Sequence, residues 1–115
     1  MNIVIIGSGG REHALCYKLL KSSKINKIYC IPGNAGTDEI ATNIFADIND
    51  FDEIYKIVLK LNVELIVVGP EIPLVNGIVD YFEKKNIKIF GPNKKCSQLE
   101  GSKFFMKNIC KKYNI

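Results

Sequence analysis

The sequence predicts an α/β domain in which helices cover both faces of a parallel sheet. Three observations predict it. Four short apolar runs rich in β-branched residues recur along the 115 residues, helical apolar stripes fill the intervals between them, and a glycine-rich turn joins the first run to the first stripe. A chain of this length can bury about two thirds of its unfolded surface in one core, so a single main domain is expected.

The first run, residues 3–6, closes at Gly7. Runs at residues 28–31, 63–68 and 87–90 follow, each ended by glycine or proline, as buried parallel strands are. Between them, Leu15, Cys16, Leu19 and Leu20 form one helical stripe, and Phe51, Ile54, Tyr55, Val58 and Leu61 a second. Leu74, Val75, Ile78, Val79 and Phe82 form a third. Asp50, three residues before Glu53, predicts the cap of the second helix, and Lys84 with Lys85 suits the end of the third. Residues 38–49 interrupt the alternation, and a short strand at Ile44 or Phe45 inside a loop is expected there. Beyond Phe90, Gly91-Pro92 predicts a turn, residues 94–99 a short helix, and Ser102 the cap of a last helix carrying Phe105, Ile109 and Tyr113 on one side. Strands alternating with helices imply right-handed crossovers, so the expected fold is a Rossmann-like, doubly wound parallel sheet.

Charge and composition narrow the function classes. Residues 84–115 carry nine lysines against one glutamate, whereas residues 1–83 carry seven basic against eleven acidic side chains. The basic excess is lysine spread over two elements, without interleaved aromatics on one face, so solvated helix surfaces are expected and a nucleic-acid partner is not. No apolar run approaches the roughly 20 residues that cross a bilayer, and residues 3–6 meet Gly7 too soon for a signal peptide. A cytoplasmic protein without a membrane partner is expected. The four cysteines, Cys16, Cys30, Cys96 and Cys110, include no CxxC pair, and His13 is the sole histidine. Buried thiols are therefore expected rather than a metal site.

Three loops at strand ends carry the chemistry. Gly7-Ser8-Gly9-Gly10-Arg11-Glu12 opens the first helix, where unpaired N–H groups and the helix dipole favour an anion and Arg11 can add a charge-assisted contact. A dinucleotide fingerprint would need a third glycine where Glu12 stands and an acid after the second strand, which ends in Cys30-Ile31-Pro32. A plain strand-to-helix turn is the alternative for this loop. Pro32-Gly33-Asn34-Ala35-Gly36-Thr37 joins two glycines to an amide and a hydroxyl, suited either to a sugar phosphate or to an ordinary turn. In Val68-Gly69-Pro70-Glu71-Ile72-Pro73-Leu74, two prolines fix Glu71, which can accept hydrogen bonds from ribose hydroxyls or merely serve a helix dipole. His13, in the first helical turn, is expected to orient its loop by a hydrogen bond rather than to move a proton.

GSGGREHA at 7–14, PGNAGT at 32–37, VGPEIPL at 68–74, KIFGP at 88–92 and QLEGSK at 98–103 together resemble the phosphoribosylamine–glycine ligase (glycinamide ribonucleotide synthetase) family, in this order and over the whole chain. The resemblance implies a pre-ATP-grasp, substrate-binding domain over residues 1–101 and, at 102–115, the first helix of a downstream ATP-grasp domain. It implies an ATP-dependent ligase of purine biosynthesis that joins glycine to 5-phosphoribosylamine. Gly9, Gly10 and Arg11 would hold the 5-phosphate, and Asn34, Ala35, Gly36 and Thr37 would line the substrate pocket. Glu71 would hold the ribose hydroxyls, and Lys103 would contact nucleotide phosphate, though a solvated surface lysine is an alternative for Lys103. ATP and magnesium or manganese would be held mainly downstream, so these 115 residues alone are expected to bind neither and to be inactive, with no catalytic residue and no metal ligand. Two other readings are a non-catalytic module that binds a sugar phosphate and, less well supported, a nicotinamide-dinucleotide domain.

Overall fold

The computed structural model describes residues 1–91 and 102–115, with the side chains of the last helix from Lys107 onward. The helix expected at 94–99, the turn at Pro92, Cys96 and most of the QLEGSK motif lie outside the described residues. So do the side chains of Ser102, Lys103 and Phe105.

The chain runs β1 (Asn2–Gly7), α1 (Gly10–Leu19), β2 (Lys27–Pro32), α2 (Ala35–Ile40), β3 (Thr42–Asn43) and α3 (Phe51–Lys60). It continues through β4 (Leu65–Val68), α4 (Glu71–Val75), α5 (Ile78–Glu83), β5 (Lys88–Phe90) and α6 (Ser102–Tyr113). All strand pairs are parallel, in the order β3-β2-β1-β4-β5. Ile3 stands in register with Ile28 on one side and Leu65 on the other, which makes β1 the centre of the sheet.

Side-chain alternation along the strands divides the core between two faces. Val4, Ile6, Ile66 and Val68 pack with Ile54 and Val58 of α3, Leu74 of α4 and Phe82 of α5. Ile3, Ile5, Leu65 and Val67 pack with Leu15, Cys16 and Leu19 of α1 and with Ile109 of α6. A strand buried on both faces must be apolar at every position, and residues 3–6 and 65–68 are. No helix among the described residues is long and apolar enough to cross a membrane.

Among the described residues the expected elements form, with three differences. The third stripe falls on two helices, because Gly77 adopts a left-handed φ of 91° that ends α4 and starts α5. Its apolar face still runs on through Leu74, Ile78, Val79 and Phe82, while Val75 turns outward. The short strand lies at Thr42–Asn43 rather than at Ile44 or Phe45, and the Phe45 ring is 96% exposed. Residues 35–40, which sequence periodicity leaves irregular, form α2 because Asn34 caps them: its Oδ1 accepts the Thr37 N–H at 2.9 Å. Asp50 caps α3 as expected, accepting the Glu53 N–H at 3.1 Å.

Cys16 and Cys30 are buried side by side under the sheet, and Cys110 is partly exposed. The hydrogen bond with Cys16 and burial raise the Cys30 thiol well above its usual range. Because both Cys16 and Cys30 are fully buried, a thiolate-directed alkylating reagent at pH 8 should label Cys110 within minutes and leave the buried pair unmodified until the protein is unfolded. Peptide mass spectrometry reads the result, and native labelling of Cys30 would contradict this account.

Candidate functional site

From β1 the chain winds outward to β2 and β3, then returns across the sheet to β4 and β5. The connections leaving β1 and β4 therefore diverge, and the crevice between their carboxyl ends is where an open α/β sheet takes its ligands. The glycine loop borders it from β1, the Gly69–Pro70–Glu71 turn from β4, and the Gly33–Thr37 loop flanks it from β2.

The glycine loop has the form of an open anion cradle. Gly7, at φ 137°, turns the chain out of β1, and Gly9 precedes α1 in extended geometry. His13 N–H is the first to bond back, to the Gly9 carbonyl at 3.2 Å, so the N–H groups before it in the first turn lack helical acceptors. Ser8, Gly9, Gly10 and Arg11 are all exposed. The Arg11 guanidinium reaches across the crevice, where Nη1 donates to the Gly69 carbonyl at 3.3 Å. An anion bound here would meet backbone donors, the positive end of a ten-residue helix and a nearby cation.

The second loop holds the first in place. Asn34 Nδ2 donates to the carbonyls of Ser8 at 2.9 Å and Gly9 at 3.3 Å. The Thr37 hydroxyl accepts the Asn34 N–H at 2.8 Å and donates to Asn43 Oδ1 at 2.7 Å, while Asn43 Nδ2 donates to the Asn34 carbonyl at 2.8 Å. Sequence reasoning assigns Asn34 and Thr37 to ligand contact. The structure engages their polar atoms within the framework, and Thr37 is fully buried. Ala35 is exposed and Gly36 half-buried. His13 also departs from expectation, since it orients the loops by packing: a Cβ on Gly36 would lie 2.5 Å from its Cε1. No hydrogen bond to its ring occurs among the described residues.

Glu71 is exposed at the first position of α4, preceded by Pro70 in extended geometry. Lys103 falls in the first turn of α6, far along the chain from these loops. Two residues that sequence reasoning passes over belong to the site. Asn43 closes the framework described above, and Glu12, 6% exposed, lies between the ends of β1 and β4. The spacing of Asn34 to Thr37, that of a helix cap to its N3 residue, is the signal that could have exposed the framework.

Fold and loops together define a Rossmann-like domain with an open, glycine-rich helix N-terminus at its topological switch point. Comparison with known proteins makes the assignment particular. The chain belongs to the family described as phosphoribosylglycinamide synthetase, N domain, whose sequence model matches residues 1–100. It is 48% identical, over its whole length, to the phosphoribosylamine--glycine ligase of Clostridium acetobutylicum, and covers 28% of that protein. The crystal structure of the Thermotoga maritima phosphoribosylamine--glycine ligase matches all of this chain over 25% of its own, with a TM-score of 0.53 and 33% identity. A biotin carboxylase subunit of pyruvate carboxylase matches at a TM-score of 0.60 and 20% identity, over 99% of this chain and 28% of its own, which shows a shared fold. The chain thus spans little more than a quarter of the ligases it resembles.

Proposed function

We propose that this chain is the N-terminal, substrate-side domain of an ATP-dependent ligase that joins glycine to 5-phosphoribosylamine to give glycinamide ribonucleotide. The observation that carries the reading is the open N-terminus of α1 at the switch point, linked by Arg11 to the Gly69 turn that leads into Glu71, in a chain whose ligase relatives match it from end to end. The N–H groups around Gly9 and Gly10, with Arg11, hold the 5-phosphate. Ala35 and Gly36 border the sugar, with Asn34 and Thr37 beneath them as the frame, and Glu71 accepts the ribose hydroxyls. Anchoring both ends of the substrate restricts its amine to one approach, which favours a reaction that depends on positioning.

ATP and its magnesium or manganese belong, in this reading, to a downstream ATP-grasp domain. In the same reading this domain supplies binding and orientation. Lys103 would meet nucleotide phosphate at the boundary. The family match to residue 100 supports a division near residue 101, while the buried Ile109 ties α6 to the core on the α1 side.

Glu71→Gln in the complete ligase tests the assignment. The substitution keeps one acceptor oxygen, turns the other into a donor and removes the charge. The KM for phosphoribosylamine should rise about tenfold to a hundredfold, the scale of a hydrogen bond to a charged group, while those for ATP and glycine barely move. Unchanged phosphoribosylamine kinetics, with a small drop in melting temperature, would instead assign Glu71 to the helix dipole alone.

A further inference from the structure

Glu12 is a buried side chain at the switch point that has no hydrogen-bond or ion-pair partner among the described residues, and its charge adds to what raises the Cys30 thiol. It occupies the third position of α1, where an acid ordinarily reaches back to the capping N–H or simply faces the helix dipole. Here it turns down between two strand ends. A Cβ on Gly7 would lie 2.1 Å from its Oε1, one on Gly69 2.5 Å from the same oxygen, and one on Gly9 3.4 Å from Oε2. Adjacent parallel strands thus both end in a residue without a side chain, and the space is filled by a carboxylate. Neither a dipole nor a cap requires that arrangement.

The side chain is 6% exposed, and no hydrogen bond or ion pair to it occurs among the described residues. Arg11, its neighbour in sequence, directs its guanidinium to the Gly69 carbonyl instead. No fully enclosed side-chain oxygen lacks a partner among the described residues, so both Glu12 oxygens, which have none, keep a narrow opening to solvent. Those oxygens lie against Gly7, Gly9 and Gly69, the residues that border the crevice. A carboxylate with no partner in the protein keeps its full acceptor capacity, and a donor brought by a ligand would use it.

We infer that Glu12 is a specificity residue at the base of the crevice. It accepts a hydrogen bond from a hydroxyl or amine of a ligand whose anionic group sits at the α1 N-terminus, so the site selects phosphates that carry a nearby donor over plain phosphates. The inference rests on the anion site proposed above and extends it to a residue with the opposite preference. Glu12 attracts the donor and, being anionic, opposes the phosphate itself.

The test uses the 115-residue chain, with NMR titration of the Gly9, Gly10 and Arg11 amides to locate binding and give Kd. Propyl phosphate reports the anion site alone, ribose 5-phosphate adds hydroxyls, and phosphoethanolamine adds an ammonium. The wild-type chain should bind at least one donor-bearing probe about tenfold more tightly than propyl phosphate. Glu12→Gln should lose most of that preference and bind propyl phosphate more tightly, because a like charge is gone. Glu12→Asp, which keeps the charge but withdraws it by one methylene, should also lose the preference, and it decides the matter should the glutamine variant fail to fold by its thermal melt. Parallel weakening of all three probes in the variants would make Glu12 a loop support and overturn the inference, as would no change at all. A wild-type chain that binds all probes equally would overturn it while leaving the anion site standing. Amides that respond to none of the probes would remove the anion site and the inference together.

Discussion

Replacing Phe82 with alanine is expected to lower the free energy of unfolding by about 3–5 kcal/mol, the range for deleting a buried aromatic side chain. The ring is fully buried on the face of the sheet that α3 and α5 cover. It meets Tyr81 edge-on at 5.0 Å and Tyr55 at 6.3 Å between centroids. The nearer ring is not free to close the gap, because Tyr81 is tied outward by its hydroxyl's hydrogen bond to Asp52, which also raises its pKa to about 12. The void therefore persists, and both the transfer and the cavity terms apply. For a domain whose total stability is of order 5–15 kcal/mol, the loss should move the thermal midpoint by roughly 10 °C or more. Urea unfolding with an unchanged m-value should give the same figure, and a loss below about 1 kcal/mol would mean that the helices collapse onto the gap.

Gly33→Ala is expected to be nearly as damaging, for a different reason, and to reach the site. Gly33 adopts a φ of 74°, where a Cβ costs about 1–2 kcal/mol in strain. That Cβ would also lie 2.1 Å from Asn43 Oδ1 and 2.8 Å from the Thr37 hydroxyl. Accommodating it breaks the bond between those two groups and loosens the Asn34 side chain that fixes Ser8 and Gly9. At about 1 kcal/mol for each hydrogen bond lost, the total comes to roughly 2–4 kcal/mol. Hydrogen exchange gives a local readout: the Thr37 amide, held by Asn34 Oδ1 in the wild type, should exchange far faster in the variant even after correction for global stability. Protection equal to the wild type would refute the coupling between the loops.

These two positions differ in how legible they are. Phe82 could be read from periodicity, since a residue on an apolar stripe between two apolar runs has few places to go but the core. Gly33 could be read only as a turn residue. Its neighbours in space, Asn43 and Thr37, lie ten and four residues away, and no local pattern announces that they converge on its Cα. The same limit explains the third helix. Its stripe is continuous in sequence and in burial, yet the left-handed Gly77 divides the backbone, because periodicity reports which side chains face inward and is silent on a single reversed φ.

The sequence by itself determined the parallel α/β class, the four longer strands, the apolar faces of the principal helices and the three strand-end loops where a ligand would sit. These follow from local chemistry: β-branched runs, helical spacing, and glycine or proline at the turns. Only the tertiary structure decided what each loop residue does there. Asn34 and Thr37 carry groups that suit either a ligand or a frame, and it was the arrival of Asn43 on the short β3 that engaged them in the frame. Glu12 reads as one more acid in the first turn of a helix until β4 delivers Gly69 beside Gly7 and leaves a space that its carboxylate fills. Side-chain roles at the crevice are set by contacts between residues from six to about sixty positions apart, and those contacts exist only once the sheet has formed.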